Sequence, residues 1–289
     1  MLNDQHLSQQ IEDALVARNP RGMAQVQPAL EAGYCLRAAQ ILQACLSDKT
    51  NPSATILIGT GFPVVGTFET DGPVGSIALY EALETLGANP IIVCGQPLVG
   101  ALSARYRTHE ISVGDNQHNK TDTLAALALL KPQAIVSIER PGQAADGGYY
   151  NMRGESISAR TACFDGFMDW SQCPTIAVGD GGNEIGMGKV NHALKSLNIV
   201  PAMTSADELI VADVSNWGAY GLIAFLGLWR GQDLLAKIDP LAILQYLSEL
   251  GSVDGVTREN QLTEDGLPVS EGLDLIHQLR NITGFTVSA

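Results

Sequence analysis

Acidic side chains recur in this chain where glycine-rich segments follow apolar runs. The segment ETDG (69–72) sets Glu69 and Asp71 two residues apart. ERPG (139–142) places Glu139 and Arg140 directly after an apolar run, and AADGGYYNMRG (144–154) adds Asp146 and Arg153. GDGGNEIGMG (179–188) distributes Asp180, Asn183 and Glu184 around Gly181 and Gly182. Carboxylate and carboxamide oxygens are hard ligands of the kind Mg²⁺, Mn²⁺ or Ca²⁺ accept, and no His or Cys in these segments favours zinc. Glu69, Asp71, Glu139, Asp146 and Asp180 are therefore candidate ligands for a divalent cation, Mg²⁺ or Mn²⁺. Asp180, Glu184 and Glu139 are candidate proton-transfer groups, since a buried carboxyl whose proton affinity is raised can act as acid or base.

The same loops offer partners for a small-molecule substrate. Arg140 and Arg153 have the planar fork that grips a carboxylate in bidentate fashion. Adjacent glycines at 181 and 182 let the backbone turn sharply and bring N–H groups, with Asn183, close to a ligand. Each feature also has a plainer explanation. Asp71 ahead of Gly72-Pro73 suits a helix cap, Glu139 suits an ion pair with Arg140 or Arg153, and 179–188 suits a tight turn with Asn183 as cap. The glycine spacing matches neither G-x-G-x-x-G nor G-x-x-x-x-G-K-[ST], so neither a dinucleotide nor a P-loop site is expected. His109, His118 and His192 lack metal-ligand spacing, and no G-x-S-x-G elbow surrounds Ser215.

What must hold these loops is a layered sheet. Residues 54–59, 90–95, 133–139, 175–180 and 208–214 are short runs continuous in apolarity rather than alternating, the signature of strands buried on both faces. Helical patterns over 73–87, 119–130, 184–197 and 215–229 lie between or after them. The alternation predicts α/β architecture with a mostly parallel sheet flanked by helices, and ligands of such sheets bind at the carboxyl ends of the strands. Two N-terminal helices are expected over 4–18 and 26–46, and a helical C-terminal tail over 240–250 and 269–282. The connection 251–268 between the tail helices is long and polar, either a lid or a local excursion.

Composition narrows the partners. Of 289 residues, 31 are acidic and 17 basic, a net charge of −14 that repels nucleic acid and anionic membranes. Five widely spaced cysteines contain no C-x-x-C pair, which argues for reduced thiols. No stretch reaches the length of apolar residues a membrane helix needs, and the N-terminus has no basic-then-apolar leader, so a cytoplasmic location is expected. No repeat or linker divides the chain, which reads as one domain over 1–289. The apolar C-terminal helices cover either the sheet or a second subunit, and a homo-oligomer stays open.

Taken together, GTGFP (59–63), ETDGP (69–73), IERPG (138–142), AADGGYYNMRG (144–154) and GDGGNEIGMGKV (179–190) resemble the C-terminal domain of the D-glutamate cyclase family, over roughly residues 20–285. The resemblance implies conversion of D-glutamate to 5-oxo-D-proline with loss of water. It also implies an α/β fold with an acidic central cavity able to hold a divalent metal. In the vertebrate mitochondrial proteins this domain follows a second one, and for stand-alone members the resemblance leaves open a need for that partner domain or action on another substrate. A metal-dependent phosphatase is the alternative enzyme, and a non-catalytic metal or amino-acid binding module the alternative from another class.

Overall fold

The computed structural model describes residues 4–48, 50, 53–114 and 119–285, so His118 lies outside the described residues. In chain order the elements are α1 (Asp4–Leu15), α2 (Met23–Val26), α3 (Tyr34–Ser47), β1 (Thr55–Thr60), β2 (Pro63–Val64), β3 (Thr67–Phe68), α4 (Pro73–Thr85), β4 (Asn89–Cys94), α5 (Leu98–Leu102) and β5 (Thr108–Glu110). They continue with α6 (Asn119–Leu130), β6 (Ala134–Ile138), α7 (Asp165–Asp169), β7 (Thr175–Gly179), α8 (Asn191–Leu194), β8 (Glu208–Val211), α9 (Ser215–Arg230), α10 (Pro240–Glu249), β9 (Thr263–Glu264), β10 (Leu267–Pro268) and α11 (Val269–Ile282).

Six strands form one sheet in the order β5-β4-β1-β6-β7-β8, and every pairing in it is parallel. Residues 56–58, 134–138 and 175–178 are buried throughout, as continuous apolar runs require of strands covered on both faces. Read outward from β1, the chain first builds toward β4 and β5, then returns to add β6, β7 and β8 on the other side. The order reverses between β1 and β6, whose ends pair Thr60 with Ile138. Connections leaving these two ends diverge, and the crevice between them is where doubly wound sheets bind ligands. Helices α4 and α9 pack together beside it, with α3 and α1 behind α9.

The expected α/β architecture is present, with three differences in detail. The run 26–46 is broken into α2, a 3₁₀ turn at Gln27–Ala29 and α3, because Pro28 has no N–H to donate and Gly33 sits at φ 89°. The helix expected over 184–197 is reduced to a 3₁₀ turn at Met187–Val190 and the single turn of α8. Gly186 is left-handed there, and a Cβ on Gly188 would lie 2.0 Å from the Met203 carbonyl oxygen. The sixth strand, β5, has three residues, too short to register as an apolar run.

The 251–268 connection is fastened to the molecule. Val253 donates its N–H to the Phe68 carbonyl (3.0 Å) and accepts from the Thr70 N–H (2.9 Å), and β9 and β10 form a small hairpin. The segment thus forms one wall over the crevice.

Candidate active site

Three carboxylates meet where β1, β6 and β7 end. Asp71 arrives through the β2–β3 hairpin, Glu139 is the residue after β6, and Asp180 the residue after β7. Each offers an oxygen within 4.8 Å of the others', and all three side chains are buried. Glu139 holds φ 49°, a left-handed conformation that a non-glycine residue adopts at a cost of about 1 kcal/mol or more. That turn carries its carboxylate off the strand axis, and the Ser215 hydroxyl donates to its Oε2 at 2.6 Å.

Asp71 caps a helix, though not the one that follows it. Its Oδ1 accepts the Asn216 N–H (2.9 Å) and its Oδ2 the Ser215 N–H (3.0 Å), both in the first turn of α9. Asn216 returns the favour: its Oδ1 accepts the N–H groups of Gly72 (2.8 Å) and Gly75 (2.6 Å) at the start of α4. Two neighbouring helices satisfy each other's free N–H groups through one side chain apiece. Asp180 Oδ2 also accepts from the Ser215 N–H (3.2 Å), so the positive end of α9 faces two of the three acids.

Two residues of the site carry no local sequence signal. Arg21, from the turn between α1 and α2, donates to both Asp180 and Asp265 and to the Asp213 carbonyl. Asp265 comes from the β9–β10 turn, where its φ is 52°. Arg21 and Asp265 are 244 positions apart, and only the closed fold makes them a pair.

Burial lifts the proton affinities of Glu69, Asp71, Glu139 and Asp180 well above the usual carboxylate range, and repulsion among the acids adds to it. Glu184 is raised for the same first reason, against the pull of the Gly182 N–H. Burial also works to raise Asp265, but the Arg21 guanidinium outweighs it and the net direction is down. Arg21 itself loses solvation and yet is held more firmly protonated by Asp180 and Asp265.

Above the cluster lies a cavity of about 320 Å³. Its acidic lining is Glu69, Glu139, Asp180, Glu184 and Asp265, its cations are Arg21, Arg153 and Arg258, and Asn151 and Asn183 complete the polar set. Asn183 donates Nδ2 to the Tyr150 carbonyl (2.9 Å), while its buried Oδ1 has no partner among the described residues. The N–H groups of Gly181 and Gly182 both point to Glu184 Oε2, at 3.3 and 2.7 Å, so they hold that carboxylate in place and are not free for a ligand.

Two of the expected site residues are placed elsewhere. Arg140 is buried beneath the crevice, donating Nη1 to the carbonyls of Thr60 and Gly61 (2.9 Å each) and Nη2 to that of Ala162. Its guanidinium ties β1's end to the 139–164 connection. Asp146 is exposed on a surface turn, where its carboxylate accepts the Tyr150 hydroxyl (2.6 Å) and the Gly148 N–H (2.9 Å). Gly147, at φ 82°, turns the chain outward and keeps Asp146 away from the other acids.

A divalent cation suits this site by donor type and charge. Asp71, Glu139 and Asp180 supply hard oxygens only, and their crowding in a buried space is relieved by positive charge.

Comparison with known proteins agrees with the geometry. The family model described as "D-glutamate cyclase-like, C-terminal" matches residues 11–280. The human protein "D-glutamate cyclase, mitochondrial" is 33% identical over an alignment of 221 residues that covers 67% of this chain and 36% of that protein. The match spans little more than a third of the human protein's length. Among the described residues, no helix is long and apolar enough to cross a membrane. With the family model covering nearly the whole chain, the protein belongs to the D-glutamate cyclase-like C-terminal family.

Proposed function

We propose that this protein converts D-glutamate to 5-oxo-D-proline and water in the acidic cavity at the β1–β6 crevice, with Mg²⁺ or Mn²⁺ bound by Asp71, Glu139 and Asp180. The observation that carries the reading is the coexistence, in one small cavity, of buried carboxylates with raised proton affinity and arginine cations.

The reaction moves two protons from nitrogen to oxygen. The substrate ammonium becomes an amide N–H, and one γ-carboxylate oxygen departs as water, so no proton is gained or lost overall. Such a transfer needs one carboxylate ionised to accept and another protonated to donate. Glu139 accepts the two nitrogen protons in turn and passes each to Glu184, so that both carboxyls return to their starting states; its position beside Ser215 fixes the direction of its carboxylate. Glu184, anchored through Oε2 by two backbone N–H groups, donates from Oε1 to the departing oxygen. A bound divalent cation supplies Lewis-acid stabilisation to the γ-carboxylate, whose negative charge otherwise makes it a poor electrophile. Arg21 pairs with both Asp180 and Asp265 and holds Asp265 ionised, so that Asp265 does not take the transferred proton.

Proton transfer by a positioned side chain contributes about 10²–10⁴-fold. Steady-state kinetics of E184Q are expected to show kcat reduced at least about 100-fold with KM changed little. An E184Q enzyme that turns over like the parent removes Glu184 from the chemistry.

A further inference from the structure

The charges in the cavity are segregated. The carboxylates of Glu69, Glu139, Asp180 and Glu184 are buried, and Arg21 among them is spent on Asp180 and Asp265. Arg153 and Arg258 line the same cavity and are exposed at its mouth. Arg153 makes no side-chain hydrogen bond among the described residues; only its backbone N–H is used, on Asn151 Oδ1. Arg258 reaches Glu155 Oε2 at 3.4 Å, where both side chains are about half exposed, so that pair is weak and readily exchanged.

Arg258 is nevertheless firmly placed. Its φ of 62° is a left-handed conformation that the surrounding bonds enforce. Its N–H meets the Asp254 carbonyl at 2.8 Å, and the buried Asp254 carboxylate accepts from the N–H groups of Val256, Thr257 and Gly266 and from the Thr263 hydroxyl. Gly255, next to Asp254, lies so close to Glu69 that a Cβ there would be 2.3 Å from Glu69 Oε2. The loop that presents Arg258 is therefore built onto the acidic wall, and its backbone needs no further ordering when a ligand arrives.

We propose that Arg153 and Arg258 form a two-armed clamp for the α-carboxylate of an amino-acid substrate, and that this carboxylate displaces Glu155 from Arg258. The unpartnered Asn183 Oδ1 and the buried acids take the ammonium end below. The orientation follows from the charges. The ammonium and the γ-carboxyl group lie inward, where the carboxylates and the cation site are, and the α-carboxylate, which takes no part in ring closure, points to the mouth. The substrate class is thus an α-amino acid with a second carboxyl group one side-chain length away. The inference rests on the cyclase reading for the inward half and on the arginines alone for the outward half.

Three ligands separate these halves: D-glutamate, its α-amide, and γ-aminobutyrate, which keeps an amine and a carboxylate four bonds apart but has no α-carboxylate. Binding is measured by calorimetry on wild-type protein and on R153Q, R258Q and the double variant, each checked for an unchanged unfolding midpoint. Wild-type protein is expected to favour D-glutamate over the α-amide by at least about tenfold, as a charge-assisted contact provides, and the double variant to lose that preference. E155Q frees Arg258 and is expected to tighten D-glutamate binding. If lactam forms, KM rises in the arginine variants while kcat holds within a few-fold. Equal affinity for D-glutamate and its α-amide in wild-type protein, or an unchanged preference in the double variant, overturns the clamp. Absence of lactam with the binding pattern intact overturns the cyclase reading and leaves the clamp standing.

Discussion

At the scale of single residues, the site stores unfavourable charge. A carboxyl whose folded pKa lies above its unfolded value binds protons more tightly in the native state, so stability falls as pH rises from the unfolded value through the folded one. Glu264, buried beside Asn216, is pushed up by burial to about 7. It makes the native state progressively less favoured between about pH 4.5 and 7. Glu69, Asp71, Glu139, Asp180 and Glu184 act in the same direction, while Asp265 in the site and Asp146 and Glu155 on the surface oppose them. Thermal unfolding of cation-free protein is expected at a higher temperature at pH 5 than at pH 8, with a shallower slope in E264Q. A midpoint that rises from pH 5 to pH 8 contradicts the assigned directions. By the same reasoning E139Q removes one repelling charge while an amide oxygen can still accept from Ser215, and its midpoint at pH 8 should rise by about 2–4 °C per kcal/mol relieved, while turnover is lost.

At the scale of elements, the crossed capping of α4 and α9 ties the connection that leaves β1 to the one that leaves β8. N216A strips the acceptor from Gly75 and a donor from Glu264, leaves Gly72 with Asp71 Oδ1 alone, and is expected to lose about 2 kcal/mol in chemical denaturation. Gly72, at φ 91°, stands where a Cβ would meet Thr60 Oγ1 at 2.7 Å and Glu139 Cβ at 2.8 Å. G72A should therefore disturb Glu139 as well as the helix start, lowering activity more than an equally destabilising change in α6. Proportional losses of stability and activity in both would show that Gly72 has no special bearing on the site.

Much of this level was legible beforehand. Continuous apolar runs identify five of the six sheet strands, and the acid after each of β6 and β7 points to the crevice because strand ends are where such sheets bind. The capping preference of Asp71 is readable too, but which helix it caps is not, since α9 lies 144 positions away. Glycine richness around 181–188 reads as a ligand loop, whereas its N–H groups turn inward to Glu184 and its backbone cannot continue a helix.

At the scale of the whole molecule, closure of the chain on itself creates the site. Residues from the first turn after α1, three strand ends and the hairpin before α11 converge on one cavity, and Arg21 and Asp265 could not be singled out from their neighbours in sequence. Arg140 and Asp146 show the converse: each has the right chemistry and adjacency, and one is drawn under the sheet end while the other is turned to the surface. A cation binding only the folded cluster should stabilise the entire domain, by about 2.7 kcal/mol at a hundredfold excess over its dissociation constant. Because protons compete for the same oxygens, the shift in unfolding midpoint with Mn²⁺ is expected to be larger at pH 8 than at pH 5. Identical shifts in wild-type protein and D71N/E139Q would place the cation elsewhere.

The most direct test of the account is proton NMR of the metal-stripped protein incubated with D-glutamate, L-glutamate or a simple phosphomonoester, each with and without Mn²⁺ or Mg²⁺. The account predicts 5-oxo-D-proline from the D isomer, dependent on added cation and formed at least about 100-fold more slowly by E184Q; phosphate release without lactam, or no lactam under any condition, would contradict it.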